Sequence, residues 1–418
     1  MATSQVPQEQ QIHWPSVLQF GLAGLASLGL LPLSASLFVA ALIQLVDPVN
    51  GGPQIAASTL MVAAGLATSG VLAIPVAGYG LARLLKRAVP LPNKLPGWWR
   101  WFVLGSVGLF ALALLIASLV GSIESIVWLI LPPLHILGMG LPVMWLVWAG
   151  TRGLIQGPVQ RTWGVFGAGL LMGPFLILIA ETVLILFLAV LAFFVLLVVV
   201  STNPEIMTTL DRLAIQMQNV PNDPQQVLEV LGPTILRPEL LLGSLFFVAV
   251  CVPLIEELIK PVGVWLLAGK NLTPRDGLVL GMLSGSGYAL FENFLLGAAP
   301  DAWATLAVVR TGTSVMHIFT AGLTGWALAL AWRERRYFRL VLAYFLASLI
   351  HGLWNANAVL FSFTLLTLEL NTEFRLPIFW VGAAPLALTV LALGALGGLL
   401  FANRRFRDLK VAEESTRE

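Results

Sequence analysis

Cysteine is almost missing from this chain. The one present, Cys251, lies inside an apolar run, so no internal disulfide can form. Charge is scarce as well: 11% of residues are charged, against about 25% in a typical soluble domain. The net charge of +2 argues against a nucleic-acid partner. The first fifteen residues carry no Lys or Arg, so a cleavable signal with a charged n-region is not expected. No Walker A loop, GxSxG elbow or HExxH zinc helix occurs anywhere.

What fills the chain instead is apolar sequence. Hydrophobic residues make up 58% of 418 positions, and the mean hydropathy is +0.89. Runs of about 20 apolar residues match the hydrocarbon thickness of a bilayer. They recur near 17–46, 54–82, 101–123, 126–150, 163–200, 240–268, 277–298, 304–332, 338–365 and 377–402. The reading is an all-α, polytopic membrane protein with about ten transmembrane helices, in the cell membrane. The run at 163–200 exceeds one upright crossing, which implies a tilt, a kink at Pro174 or two segments.

Loop charge supplies an independent test. If the Arg83–Arg100 linker is cytoplasmic, alternation places 18 of the 23 Lys and Arg residues inside and only Arg212, Arg237 and Arg375 outside. Splitting 163–200 into two crossings reverses the later loops and destroys that agreement. The expected topology therefore puts both termini in the cytoplasm. Residues 1–16 form an N-terminal tail, 17–200 five accessory spans, 201–239 an extracytoplasmic loop, 240–365 four working spans, and 377–418 the last span with a basic tail. Within the loop, Met207–Met217 reads either as an interfacial amphipathic helix or as plain solvated chain.

Ionisable groups inside the hydrocarbon cost roughly 2.5–3.5 kcal/mol each even on the mild insertion scale, so they mark function. Spans 6–9 hold seven: Glu256, Glu257, Lys260, Glu292, Arg310, His317 and His351. At ~1.5 Å per residue, Glu256, Glu292, His317 and His351 all lie roughly 18–24 Å from the cytoplasmic end of their spans. Four helices thus bring ionisable groups to one level, which implies a polar chamber near the midplane. Pro253 bends span 6 just ahead of the acids. Glu256 and Glu257 both reach Lys260, at i,i+4 and i,i+3. In span 7, Gly277, Gly281 and Gly285 prepare a close helix contact, and Tyr288 shares the face of Glu292. Arg310 in span 8 is a supporting residue that can hold an acid. His351 and Asn355 in span 9 stand side by side and both donate hydrogen bonds, as an oxyanion site needs. His135 and Glu181 carry no motif of their own and are expected to be structural.

The ordered set Glu256-Glu257-x-x-Lys260, Phe291-Glu292, Met316-His317 and His351-x-x-x-Asn355, spread over roughly 240–360, resembles the PrsW family of intramembrane proteases. That family is related to the CAAX prenyl proteases and bacteriocin-processing membrane proteases. The resemblance implies a peptidase cutting membrane-associated proteins, with anti-sigma factors as one substrate class. By that resemblance, Glu256 or Glu257 activates water with help from His317, while His351 and Asn355 hold the oxyanion. Prenyl proteases carry Phe-x-x-x-His in their second motif. Here the position four after Phe291 is Leu295, which points away from prenyl-protein processing. Metal-free hydrolysis is favoured slightly, because no helix carries a two-ligand zinc motif. If Zn²⁺ is used instead, Glu256, Glu292, His317 and His351 are its ligands. The rival readings are a proton-coupled secondary transporter using the same network, with Pro32 and Pro253 breaking helices in the two halves, and a non-catalytic membrane scaffold.

The topology is testable in a Cys251→Ser background. A membrane-impermeant maleimide is expected to label Thr208→Cys in intact cells and Ser415→Cys only after permeabilisation. The opposite pattern would invert the assignment.

Overall fold

Prolines open many of the helices, where their fixed φ suits the first turn and no backbone N–H is lost. Pro53, Pro204, Pro224, Pro238 and Pro274 each stand at a first helical position. The computed structural model describes residues 13–47, 51–87, 97–154, 157–218, 224–370 and 375–415. Its helices are α1 Trp14–Val46, α2 Pro53–Leu84, α3 Trp99–Val120, α4 Glu124–Thr151 and α5 Val159–Thr202. They continue as α6 Pro204–Gln218, α7 Pro224–Ile235, α8 Pro238–Trp265, α9 Pro274–Leu295, α10 Trp303–Glu334, α11 Tyr337–Glu369 and α12 Phe379–Ser415. No strand occurs among the described residues. The fold is an all-α multi-pass membrane protein.

Every expected span has its helix. Nine of them are long and apolar enough to cross a membrane. The tenth, α9, has 22 residues, a length of about 33 Å. Glycines and polar residues dilute its apolar character, because protein rather than lipid surrounds it. Nearly all of it from Gly277 to Ala289 is buried. Thr273 and Asp276 form a capping box that starts it: the Asp276 N–H donates to Thr273 Oγ1 and the Thr273 N–H to Asp276 Oδ2, both at 3.1 Å.

The long run near 163–200 is one continuous helix. A π-turn at Ala168–Met172 lies just ahead of Pro174. The 44 residues of α5 span about 66 Å, more than twice the hydrocarbon thickness of about 30 Å. Met207–Met217, read from sequence as either helix or solvated chain, lies within the helix α6, and a second helix, α7, follows. In the basic tail α12 stays helical well past the expected end of the last span, to Ser415. Lys94, Arg417 and residues 1–12 of the N-terminal tail lie outside the described residues.

Helices α9 and α10 form the centre. Gly277, Gly281 and Gly285 face Gly325, Ala321 and the His317 carbonyl of α10 so closely that an added Cβ would strike backbone at each. On its other flank, Gly287 abuts the Phe166 carbonyl and the Leu170 nitrogen, while Gly169 of the π-turn abuts the Ser284 carbonyl. Small residues permit this approach where lipid offers no hydrophobic drive between helices. Outside this centre, α1 pairs with α2 through Ser27 Oγ donating to the Gly70 carbonyl (3.0 Å) and Ser34 Oγ to the Ala63 carbonyl (2.7 Å). The outer faces are apolar, as a lipid-facing surface must be: Leu25 and Leu28 on α1 and Val183, Phe187 and Phe194 on α5 are exposed.

Replacing Gly281 by Leu forces a side chain into the Ala321 backbone. Overpacking of this kind costs typically ~1–3 kcal/mol. Thermal unfolding in detergent is expected to show a clear loss for Gly281→Leu and almost none for Gly394→Leu, whose Cβ would meet nothing within 4 Å. Equal melting points for the two would refute the packing role of α9.

Candidate functional site

Two helix distortions aim the acids. In α8 a π-turn at Phe247–Cys251 precedes Pro253. Proline has no N–H, so the carbonyls it would have bonded are left free. Asn355 Nδ2 donates to one of them, Val248, at 2.9 Å. Gly352 lets the carbonyl of Ala249 approach α11 in a contact that any Cβ would block. Tyr344 Oη adds a hydrogen bond to the Leu254 carbonyl at 2.7 Å. Helix α11 is therefore pinned along α8 on both sides of His351. The second distortion follows Lys260, where Pro261 breaks α8 into a final short turn. The Lys260 carbonyl, left out of the helix ladder at this break, accepts from Ser284 Oγ of α9 at 2.6 Å.

Lys260 is the hub. Its Nζ lies 2.8 Å from Glu256 Oε2 and 2.8 Å from Glu257 Oε1. It is also 2.6 Å from His317 Nδ1, 3.2 Å from His351 Nδ1 and 4.9 Å from the centre of the Tyr288 ring. An ammonium carries three protons, so it cannot donate to all four polar neighbours at once. Beyond the hub each imidazole has a carboxylate on a ring nitrogen. His317 Nε2 is 2.8 Å from Glu292 Oε2, and His351 Nδ1 is 3.0 Å from Glu257 Oε1. Glu292 is clamped by Arg310, with Nη2 to Oε2 at 2.9 Å and Nη1 to Oε1 at 3.1 Å. Arg310 in turn donates from Nε to Asn293 Oδ1 at 2.7 Å, and Asn293 to Ser314 Oγ at 2.9 Å.

The residues singled out from sequence on four spans thus meet in one cluster, with one departure. Asn355 shares a face with His351, yet its amide nitrogen is held by the Val248 carbonyl, about two turns before Glu256 on α8. It positions α11; an oxyanion contact through that nitrogen would require breaking the bond. Arg310 holds an acid, as expected. His135 is structural, as expected: it accepts from Trp303 Nε1 at 3.2 Å, and its Nε2 lies 3.4 Å from the Phe294 carbonyl.

Two further residues join the site. Tyr288 stacks edge-on to His317, ring centres 5.2 Å apart, and its hydroxyl lies near the Glu256 carboxylate. Glu181 of α5 lies within electrostatic reach of Glu256, Lys260 and Glu292, and its Oε1 is buried without a hydrogen-bond partner. Its depth in span 5 was the one signal in the sequence; a lone acid without a motif gave no reason to use it.

The donor set suits a divalent cation that displaces Lys260 Nζ from among Glu256, His317 and His351. Glu256, His317 and His351 each offer a ligand atom, and these lie within 4.8 Å of one another. Glu256 Oε2, Glu292 Oε2 and His317 Nε2 are buried without a well-aligned hydrogen bond. Among the described residues Lys260 and Arg310 are the Lys and Arg partners of Glu256, Glu257 and Glu292, which leaves one formal negative charge. Uncompensated charge at such depth is costly, and a divalent cation balances it.

Residues 157–386, more than half of the chain, match the profile of the PrsW family of intramembrane metalloproteases. The chain belongs to that family. The match supports a protease over the transporter and scaffold readings. It also reaches beyond the 240–360 segment that carries the motifs, taking in α5 with Glu181 and the start of α12. No curated protein and no solved structure shows significant similarity to the chain.

Proposed function

We propose that this membrane protease hydrolyses peptide bonds of membrane-anchored proteins, single-span substrates of the anti-sigma-factor kind, at a metal centre held by Glu256, His317 and His351. One observation carries the reading: these three donors, from three different helices, converge within 4.8 Å inside the bundle. Two histidines and one carboxylate are a donor set of catalytic zinc sites, and they leave a coordination position open. When bound, the metal supplies Lewis acidity and makes a water acidic enough to attack a carbonyl at neutral pH. The family's description as metalloproteases favours this over the metal-free alternative.

The protein's own groups do the rest. Glu292 fixes the ring of His317, and Glu257 that of His351, as carboxylates behind metal-binding histidines do. The side chain of Glu292 is 35% exposed while those of Lys260 and Glu257 have no exposed surface. Water and substrate therefore reach the cluster past Glu292. Tyr288 takes over the oxyanion role expected of Asn355, since its hydroxyl lies beside Glu256 and its one proton can turn to the substrate. Both termini lie in the cytoplasm in this account, on the side of the basic loops.

The test is cleavage of a panel of single-span substrates by the full chain in proteoliposomes. Glu256→Gln, His317→Ala and His351→Ala are each expected to lose at least ~100-fold in rate, the lower end of what a positioned acid–base group contributes. A chelator is expected to abolish cleavage and added Zn²⁺ to restore it. Chelator-resistant cleavage that still needs Glu256 would return the glutamate mechanism. Unchanged cleavage by the Glu256 and His351 variants would overturn the site itself.

A further inference from the structure

A cavity of about 420 Å³ lies between α1, α2, α5 and the end of α8, inside the range of about 300–1,000 Å³ usual for small-ligand sites. It is separate from the Lys260 cluster. Its walls are apolar, formed by Leu22, Val76, Leu171 and Leu267 among others. Its rim is not: Arg83, Arg161, Lys270 and His13 all line it. His13, Arg83 and Arg161 stand within two residues of the end of a helix and Lys270 lies between α8 and α9, and three of the four belong to the loops that charge counting places in the cytoplasm. Arg161 has Asp276 at 3.7 Å, whereas Arg83 and Lys270 have no ion-pair partner among the described residues. Burial, then Arg83 and Lys270, hold the His13 imidazole below its usual value, so these cations share one small space. Toward the interior the cavity reaches Gly263, whose N–H lies 3.3 Å from Ser284 Oγ, the group that also bonds the Lys260 carbonyl.

We propose that this cavity is a binding site for an anionic phospholipid, with an acyl chain along the apolar walls and the phosphate at Arg83, Lys270 and Arg161. An apolar barrel with a cationic mouth is complementary to such a lipid at both ends. A neutral lipid leaves the rim charges unanswered, and a free anion leaves the walls unfilled. Basic pockets between transmembrane helices on the cytoplasmic side select anionic headgroups in this way. The seated lipid packs against Gly263, three residues past Lys260, and so buttresses the turn that ends the working stretch of α8.

Native mass spectrometry of the full-length chain, titrated with phosphatidylglycerol, phosphatidylcholine or inorganic phosphate, tests the proposal. Phosphatidylglycerol is expected to bind best. Arg83→Ala/Lys270→Ala is expected to weaken it roughly tenfold, a loss of about 1.4 kcal/mol, with Arg161 left in place. Leu22→Trp, which fills the cavity, is expected to displace it. Arg87→Ala/Arg333→Ala, basic positions that do not line the cavity, is expected to change nothing. Melting points in detergent verify that each variant folds, and the charge pair decides the matter if the Trp variant does not. Equal binding of phosphatidylcholine, equal binding of free phosphate, or equal weakening by the control pair would each overturn the proposal.

Discussion

An ammonium group with no exposed surface, held among two carboxylates and two imidazoles, is the constraint on which the rest of this structure depends. Lys260 cannot sit there without its partners: removing one side of a buried ion pair typically costs ~3–5 kcal/mol. The partners come from α8, α10 and α11, and Glu292 of α9 holds the far side of His317. A single cation thus ties four helices into one register. Its own carbonyl, freed by Pro261, ties α9 to α8 once more through Ser284.

The surrounding bundle is shaped to make that meeting possible. Both π-turns precede prolines, and both lie where helices must touch: Gly169 against Ser284, and the Val248 and Ala249 carbonyls against Asn355 and Gly352. π-Turns of this kind concentrate at functional sites. In α8 the turn sets free the Val248 carbonyl, which Asn355 then satisfies, so distortion becomes an anchor. The glycine ladder of α9 does the complementary work, bringing the His317 backbone up against Gly285.

Much of this was legible in the sequence, for identifiable reasons. The bilayer allows apolar helices and little else, so the spans could be read from length and composition. Ionisable residues are costly at depth, so Glu256, Glu292, His317 and His351 stood out, and a shared depth predicted their meeting. Less was legible where the answer depended on a neighbour. Asn355 and His351 share a helical face, but nothing local indicates that a proline on another helix has freed a carbonyl for Asn355. Tyr288 was noted for its face, not for its place under Lys260. Glu181 sits on a helix without a motif, and only packing brings it beside the cluster. Sequence spacing likewise placed Glu292 with the metal donors, whereas Arg310 draws it behind His317.

The central claim is that Glu256, His317 and His351 form a metal site that the remaining charges support. The most direct measurement is the metal content of the purified full-length chain, with X-ray absorption at the zinc edge. The account predicts about one divalent ion per chain with N and O ligands near ~2.0–2.1 Å, lost in His317→Ala/His351→Ala and kept in Asn355→Ala. A chain that binds no metal when folded, or that binds it equally well without the two histidines, would contradict the account.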